Sequence, residues 1–203
     1  MLAFLSNQIR NVPFLCSVSC SFFFSSGFLE KSRARKHQKQ PTVTADEVSA
    51  VAQVGPDAVL YAFLAASGLR ISEALNLRRE DYADGTVHVR QAKTVNAAGY
   101  VDLASPIAAI MDKVAGDTKP GARIFSTHLT TLGERIRVLG FHSLRRFRES
   151  VLQRSECRNL LINAWMGHRD PEMSSRYGKQ LPADVTFRKF WAEKVGIGFA
   201  LLS

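Results

Sequence analysis

The sequence predicts a mainly helical domain of the α+β class with one small antiparallel β-sheet. Three observations carry that expectation. Apolar residues recur at helical spacing through most of the chain after Pro41, and helix start and stop residues bracket those stretches. Alternating β-branched residues occur convincingly in only one place, "GTVHVRQAKTVNAAGYVDL" from Gly85 to Leu103. A chain of 203 residues has enough material for one well-buried core, so one compact domain is expected.

"TADE" offers a capping box, Thr44 with Glu47 three residues on, and opens a helix whose Val48, Val51 and Ala52 share a face. From Asp57 a second helix carries "AVLYAFLAAS" and stops at Gly68, where a left-handed terminator is natural, and "LRISEALNLRR" starts a third. The β region pairs across an Asn-Ala-Ala-Gly turn, which puts Lys93 near a hairpin. "SPIAAIMDKVAG" returns to helix, with Ser105 as its cap, Pro106 in its first position and Gly116 beyond its end. Helical patterns then cover roughly Thr127 to Leu139, Ser143 to Arg154 and Arg158 to Met166. A short one reaches Tyr177, and a last one runs from Pro182 to Val195. Trp165 and Trp191 stand among apolar helical neighbours and read as packing residues. Phe187, Phe190 and Trp191 form a face on the last helix that suits either core or an interface.

Residues 1–40 differ in character from the rest of the chain. "MLAFLSNQIRNVPFLCSVSCSFFFSSGFL" holds one basic and no acidic residue, and its apolar groups are broken by Ser, Asn and Pro. Neither a secretory signal nor a membrane span fits that interruption, and a transit peptide remains an alternative. "KSRARKHQK" comes next, as suited to a solvated linker as to a DNA-backbone contact. Residues 1–40 are therefore expected to be a poorly ordered extension and basic linker, with the ordered domain spanning 41–203.

Twenty-seven Lys and Arg against eighteen Asp and Glu give a formal charge of +9, which suits a polyanionic partner such as nucleic acid. Of the three cysteines, Cys16, Cys20 and Cys157, none has partners at zinc-finger spacing, so neither a structural metal nor a disulfide framework is expected. A reducing cytoplasm fits this usage, and nothing suggests a membrane protein.

Several residues stand out chemically, although each alone reads as ordinary. His142 and Arg145 in "HSLRRFRES" are three apart and share one side of a helix start. "WMGHRDPEMSSRYGKQL" contains Gly167, His168 and, nine residues on, Tyr177 between Arg176 and Lys179. His37, His88 and His128 belong to no motif.

The order of these pieces, "SGLRISEALNL", a hairpin lysine, "HSLR", "MGH" and then a tyrosine, resembles the catalytic domain of the tyrosine recombinases, the phage integrase family. The resemblance runs from about Pro41 to the C-terminus. It matches Gly68, Leu69, Arg70 and Glu73 to the family's Gly-Leu-Arg-x-x-Glu turn, and His142 with Arg145 to its His-x-x-Arg element. It implies a catalytic set of Arg70, Lys93, His142, Arg145, His168 and the nucleophile Tyr177, with Glu73 in support. In that scheme Arg70 and Arg145 neutralise the scissile phosphate, His168 donates to it, His142 accepts the proton of Tyr177 or orients it, and Lys93 is the acid for the departing 5′-hydroxyl.

The implied function is site-specific DNA recombination or integration by a mobile element, through a 3′-phosphotyrosyl intermediate and with no cofactor or metal. The implied partners are double-stranded DNA and further copies of the chain, four in a synapse, in the nucleoid. Family members usually carry an additional N-terminal helical domain that clamps DNA, and residues 1–40 lack the length and periodicity for it. Two readings therefore stand, a catalytic fragment and a noncatalytic DNA-binding remnant of such an element.

Overall fold

The structure, a computed structural model, describes residues 43–53, 55–90, 99–127, 140–168 and 180–201. It is mainly helical with one three-stranded antiparallel sheet, as expected. Residues 1–40, the helix expected over Thr127 to Leu139 apart from its first residue, and the short helix reaching Tyr177 lie outside the described residues.

Helix α1, Ala45–Val51, starts on the capping box: Thr44 Oγ1 accepts from the Glu47 amide at 3.3 Å, and Glu47 Oε2 accepts from the Thr44 amide at 2.8 Å. Val48 and Ala52 face the core. Helix α2, Ala58–Ser67, is apolar around its circumference, and every residue from Leu60 to Ser67 is buried. A helix of that composition belongs at the centre of the domain. Gly68 ends it in the left-handed region, φ 73°, with its amide bonded to Leu64 O at 2.9 Å.

Helix α3, Ile71–Asn76, comes immediately after, and a 3₁₀ turn at Arg79–Asp81 leads into the sheet. Strands β1 (Tyr82–Ala83), β2 (Thr86–Val89) and β3 (Gly99–Asp102) pair in that order. Val87 lies opposite Val101 and His88 opposite Tyr100. Strand β1 is an addition to the expected hairpin. Its turn is Asp84-Gly85, with φ 49° and 72°, the left-handed pair that a two-residue hairpin requires. Val87, Val89 and Val101 cover the core from the inner face of the sheet.

Helix α4, Ser105–Asp117, departs from expectation at both ends. Ser105 is its first residue rather than its cap, because Glu193 supplies the capping carboxylate: Oε1 accepts from the Ser105 amide at 2.7 Å and from its hydroxyl. Gly116 lies inside the last turn, and the helix ends when Thr118 bonds back to Ala115 O.

Helix α5, Phe141–Arg154, begins two residues earlier than expected, after Gly140 at φ 70°. Its Leu144, Phe147, Val151 and Leu152 are buried at helical spacing, and it lies along α2. Helix α6, Asn159–Met166, buries Leu161, Ile162 and Trp165.

The single C-terminal helix expected from Pro182 is two: α7, Gln180–Ala183, and α8, Val185–Val195. Asp184 divides them because its carboxylate caps α8, accepting from the amides of Thr186 and Phe187 at 2.8 and 3.2 Å. Trp165 and Trp191 are buried, as expected, whereas Phe190 is 59% exposed at the edge of the aromatic face.

Gly68 leaves little room for a side chain. A Cβ there would lie 2.3 Å from Met166 Cε and 3.1 Å from Arg148 Cγ, and the left-handed backbone costs an alanine about 1–2 kcal/mol by itself. Gly68→Ala is therefore expected to lower the melting temperature by roughly 2–8 °C in a thermal scan. An unchanged melting temperature would show that the α2–α6 junction is looser than its geometry.

Candidate active site

Five of the seven residues of the implied catalytic set, Arg70, Glu73, His142, Arg145 and His168, are described. Lys93 and Tyr177 lie outside the described residues.

The site is built where α2, α5 and α6 end or begin. Because Gly68 stops α2 and α3 starts at Ile71, Arg70 occupies the extended cap position between two helices. Glu73, 5% exposed, holds it twice over: Oε2 accepts from the Arg70 amide at 2.8 Å and Oε1 from Nη1 at 2.7 Å. One buried carboxylate thus caps α3 and fixes the direction of a half-buried guanidinium. Since two of that carboxylate's acceptor positions are used on Arg70, the arginine's rotamer freedom is spent before any ligand arrives.

Arg145, one turn into α5, is 5% exposed. Its Nη1 donates to Gly68 O at 2.7 Å and its Nη2 donates to Met166 O. The guanidinium therefore joins the C-terminal carbonyls of two helices, where the partial negative ends of their dipoles favour a cation. Its pKa lies below the usual arginine value, first through burial and then through the nearby Arg70 cation, with Glu73 and Glu149 opposing. Two cations held in one electrostatic neighbourhood, partly desolvated, make a site that favours an anion. Sequence reasoning offered no hint that Arg145 also fastens the fold, because its acceptors are main-chain atoms distant in sequence.

His168 is delivered by backbone geometry. Gly167 ends α6 at φ 59°, its amide bonds to Ala164 O at 3.4 Å, and the His168 amide bonds to Asn163 O at 2.9 Å. This is the paired arrangement of a Schellman terminus, which fixes the residue after the glycine. The same junction thus presents Met166 O to Arg145 and the His168 ring to solvent, where it is exposed. Its Nδ1 is 3.9 Å from Glu149 Oε1. Glu149 was not among the residues read from the sequence, although its place four residues after Arg145 on one helix puts it on the same face. His142 stands in the first turn of α5, exposed, with the helix amide ends close by.

The structure therefore brings Arg70, Glu73, Arg145, Glu149 and His168 to one junction and places His142 one helical turn before Arg145. Charge is less concentrated after residue 40 than the total suggests. Six of the Lys and Arg residues and one Glu fall in residues 1–40, leaving 21 basic and 17 acidic groups in the rest. Local arrangement of cations, rather than bulk charge, has to attract an anion here. Among the described residues no three His, Cys, Asp or Glu side chains come together as metal ligands, and no helix is long and apolar enough to cross a membrane.

No protein-family profile matches the chain, and no curated protein matches it in sequence. Solved structures do match in shape. One is the Tn1549 transposon integrase in complex with a circular intermediate DNA, at a TM-score of 0.52 and 14% identity, over 68% of this chain and 62% of that one. A second complex of the same integrase matches at a TM-score of 0.51 and 12% identity, over 71% of this chain and 68% of that one. This chain thus spans less than two thirds of the first of these structures. The fold is that of a tyrosine recombinase catalytic domain.

Proposed function

We propose that this chain is the catalytic part of a site-specific DNA recombinase of the integrase type, which cuts and rejoins DNA through a 3′-phosphotyrosyl intermediate. The observation that supports it most is the Arg70–Arg145 pair. One guanidinium is aimed by a buried glutamate and the other is held by two helix-end carbonyls, beside an exposed histidine on a rigid helix terminus.

A phosphodiester is protected by its own charge, so cleavage without a metal needs fixed cations at the nonbridging oxygens as the pentavalent transition state forms. Arginine suits this role because it stays protonated and its planar fork matches two oxygens. Arg70 and Arg145 take the nonbridging oxygens, and His168 donates a further hydrogen bond. Tyr177 Oη attacks phosphorus and its proton passes to His142, which is needed because a phenol with a pKa of about 10 is a poor nucleophile while protonated. The P–O5′ bond breaks as Lys93 gives a proton to the leaving oxygen.

The products are a 3′-phosphotyrosyl enzyme and a free 5′-hydroxyl. Because the phosphodiester energy is kept in the tyrosyl ester, the reverse attack by a 5′-hydroxyl rejoins DNA without a nucleotide cofactor. Rejoining to a different strand requires a second active site beside the first, so the working species on DNA is an assembly of several copies.

The test uses a duplex nicked close to the cleavage position, so that the short 5′-hydroxyl fragment diffuses away and the intermediate accumulates. With chelator present, a denaturation-resistant protein–DNA adduct is expected, with label on the 3′-phosphate side retained by protein and a 5′-hydroxyl on the released fragment. Adduct formation only with magnesium, or linkage to the 5′ side, would overturn the mechanism.

A further inference from the structure

Two carboxylates stand at the Arg70–Arg145 junction, and they are occupied differently. Glu73 is spent on Arg70, accepting from its amide at 2.8 Å and from its Nη1 at 2.7 Å. The Glu149 carboxylate instead faces the His168 ring, with Oε1 3.9 Å from Nδ1. Both of these side chains are partly open to solvent, the carboxylate 32% and the imidazole 40% exposed. Glu149 also lies one turn beyond Arg145 on α5, where its charge favours the protonated guanidinium against burial and the Arg70 cation.

A negative charge is out of place beside two arginines that gather a phosphate, because it repels the same ligand. The histidine gives it a use. Gly167 at φ 59° and the bond from the His168 amide to Asn163 O at 2.9 Å fix where the ring is rooted, so its side-chain rotations alone remain to be set. A neutral imidazole has one proton for two nitrogens, and the partner of one nitrogen decides what the other can do. With Nδ1 toward Glu149, Nε2 is the nitrogen left to face a ligand. The 3.9 Å separation is an ion-pair distance, and a shift of about 1 Å closes it to a hydrogen bond. Once Nδ1–H is given to the carboxylate, Nε2 donates only when the ring holds both protons, the form favoured between a carboxylate and a phosphate.

We propose that Glu149 is a positioning residue for His168: it accepts Nδ1–H, turns Nε2 to the scissile phosphate and is the counter-charge of the imidazolium that donates there. The inference rests on the proposed recombinase function. It makes one carboxylate unfavourable for holding DNA and favourable for cutting it. In the bound ground state its charge opposes the phosphate, whereas in the transition state charge grows on the nonbridging oxygens and a donor already aimed at them gains most. Loss of Glu149 should therefore strengthen noncovalent binding and weaken chemistry. A packing role would lower binding, cleavage and melting temperature together, and a mere excess of negative charge would, once removed, raise binding and cleavage together.

The experiment compares the full chain with Glu149→Gln, which keeps an acceptor for Nδ1–H without its charge, and with Glu149→Ala, which removes both. Both variants should bind the nicked duplex at least as tightly as the parent. At saturating duplex, single-turnover adduct formation should slow by about 10-fold in the glutamine variant and toward about 10²-fold in the alanine variant, the range seen when a metal-bound histidine loses its carboxylate partner. The second readout needs no activity. In nitrogen-15 NMR of the free chain, with the His168 signals assigned through His168→Asn, the neutral ring should carry its proton on Nδ1 in the parent and in Glu149→Gln, and shift toward Nε2 in Glu149→Ala. If the parent itself forms no adduct, the recombinase reading fails while the tautomer still decides whether Glu149 holds the ring. A parental ring protonated on Nε2, an unchanged tautomer in the alanine variant, weaker duplex binding by both variants, or adduct formation at the parental rate would each overturn the role assigned to Glu149.

Discussion

Arg145→Ala is expected to stop covalent DNA cleavage and to destabilise the domain at the same time. In the proposed mechanism its guanidinium is aimed at charge that develops in the transition state, where losing one fixed donor costs about 10²–10³-fold in rate. The same side chain closes the junction of α2 and α6 on Gly68 O and Met166 O. Truncation would leave two buried carbonyls unpaired, at about 1–3 kcal/mol each, beside the space the side chain vacates. A melting temperature lowered together with activity is therefore the expected result for alanine. Arg145→Lys separates the two roles better, because an ammonium can still satisfy one carbonyl while it cannot span both. It should retain cooperative melting near that of the parent and cleave at least ~10-fold more slowly. Cleavage at the parental rate in the lysine variant would mean that the fork geometry plays no part in the reaction.

Glu73→Ala should be nearly as damaging, although Glu73 itself touches no substrate in this scheme. Without its carboxylate the Arg70 amide at the head of α3 loses its acceptor and Nη1 loses the partner that aims it. The cap alone is worth about 1 kcal/mol. The released guanidinium samples several rotamers, and a drop in single-turnover cleavage of roughly 10²-fold is expected. Glu73→Gln keeps an acceptor for the Arg70 amide, so it should melt close to the parent while still cleaving more slowly, since the neutral amide holds the arginine less firmly. Equal cleavage by the glutamine and parent chains would show that the charge of Glu73 does not matter to the site.

Much of the helical frame was legible because its signals are local. Thr44 with Glu47, the unbroken apolar run of α2 and the glycine that ends it act within a few residues of each other, and each appears where the pattern placed it. The departures occur where a distant group replaced a local one. Ser105 reads as a cap, yet Glu193 caps α4 from 88 residues away. Asp184 divides the last helix because its carboxylate reaches the amides of Thr186 and Phe187, and Arg188 draws the carbonyls of Pro182 and Ala183 aside. Strand β1 was readable from Asp84-Gly85, the dipeptide most suited to a tight hairpin, but two residues of strand leave no alternation to detect.

At the site, the residue types and their order were legible, whereas their mutual support was not. Nothing in "HSLR" indicates that Arg145 binds the carbonyls of Gly68 and Met166, which lie 77 and 21 residues away. Arg70 and Glu73 are the exception, since a three-residue spacing at a helix start predicts that a carboxylate will meet the amide of the cap residue.

Locating the phosphodiester on the protein tests the central claim most directly. The chain has four tyrosines, Tyr61, Tyr82, Tyr100 and Tyr177. Tyr61 and Tyr82 are buried, and burial followed by a 2.7 Å hydrogen bond to Asp112 pushes the Tyr82 phenol well above its ordinary pKa, so neither can reach a DNA phosphate as a phenolate. Tyr100 is the real competitor, 51% exposed and stacked on His88. Proteolysis of the trapped adduct and mass spectrometry of the nucleotide-bearing peptide should place the phosphate on Tyr177, with Tyr177→Phe giving no adduct and Tyr100→Phe giving the parental amount. A phosphate on Tyr100, or an adduct that survives Tyr177→Phe, would contradict the account.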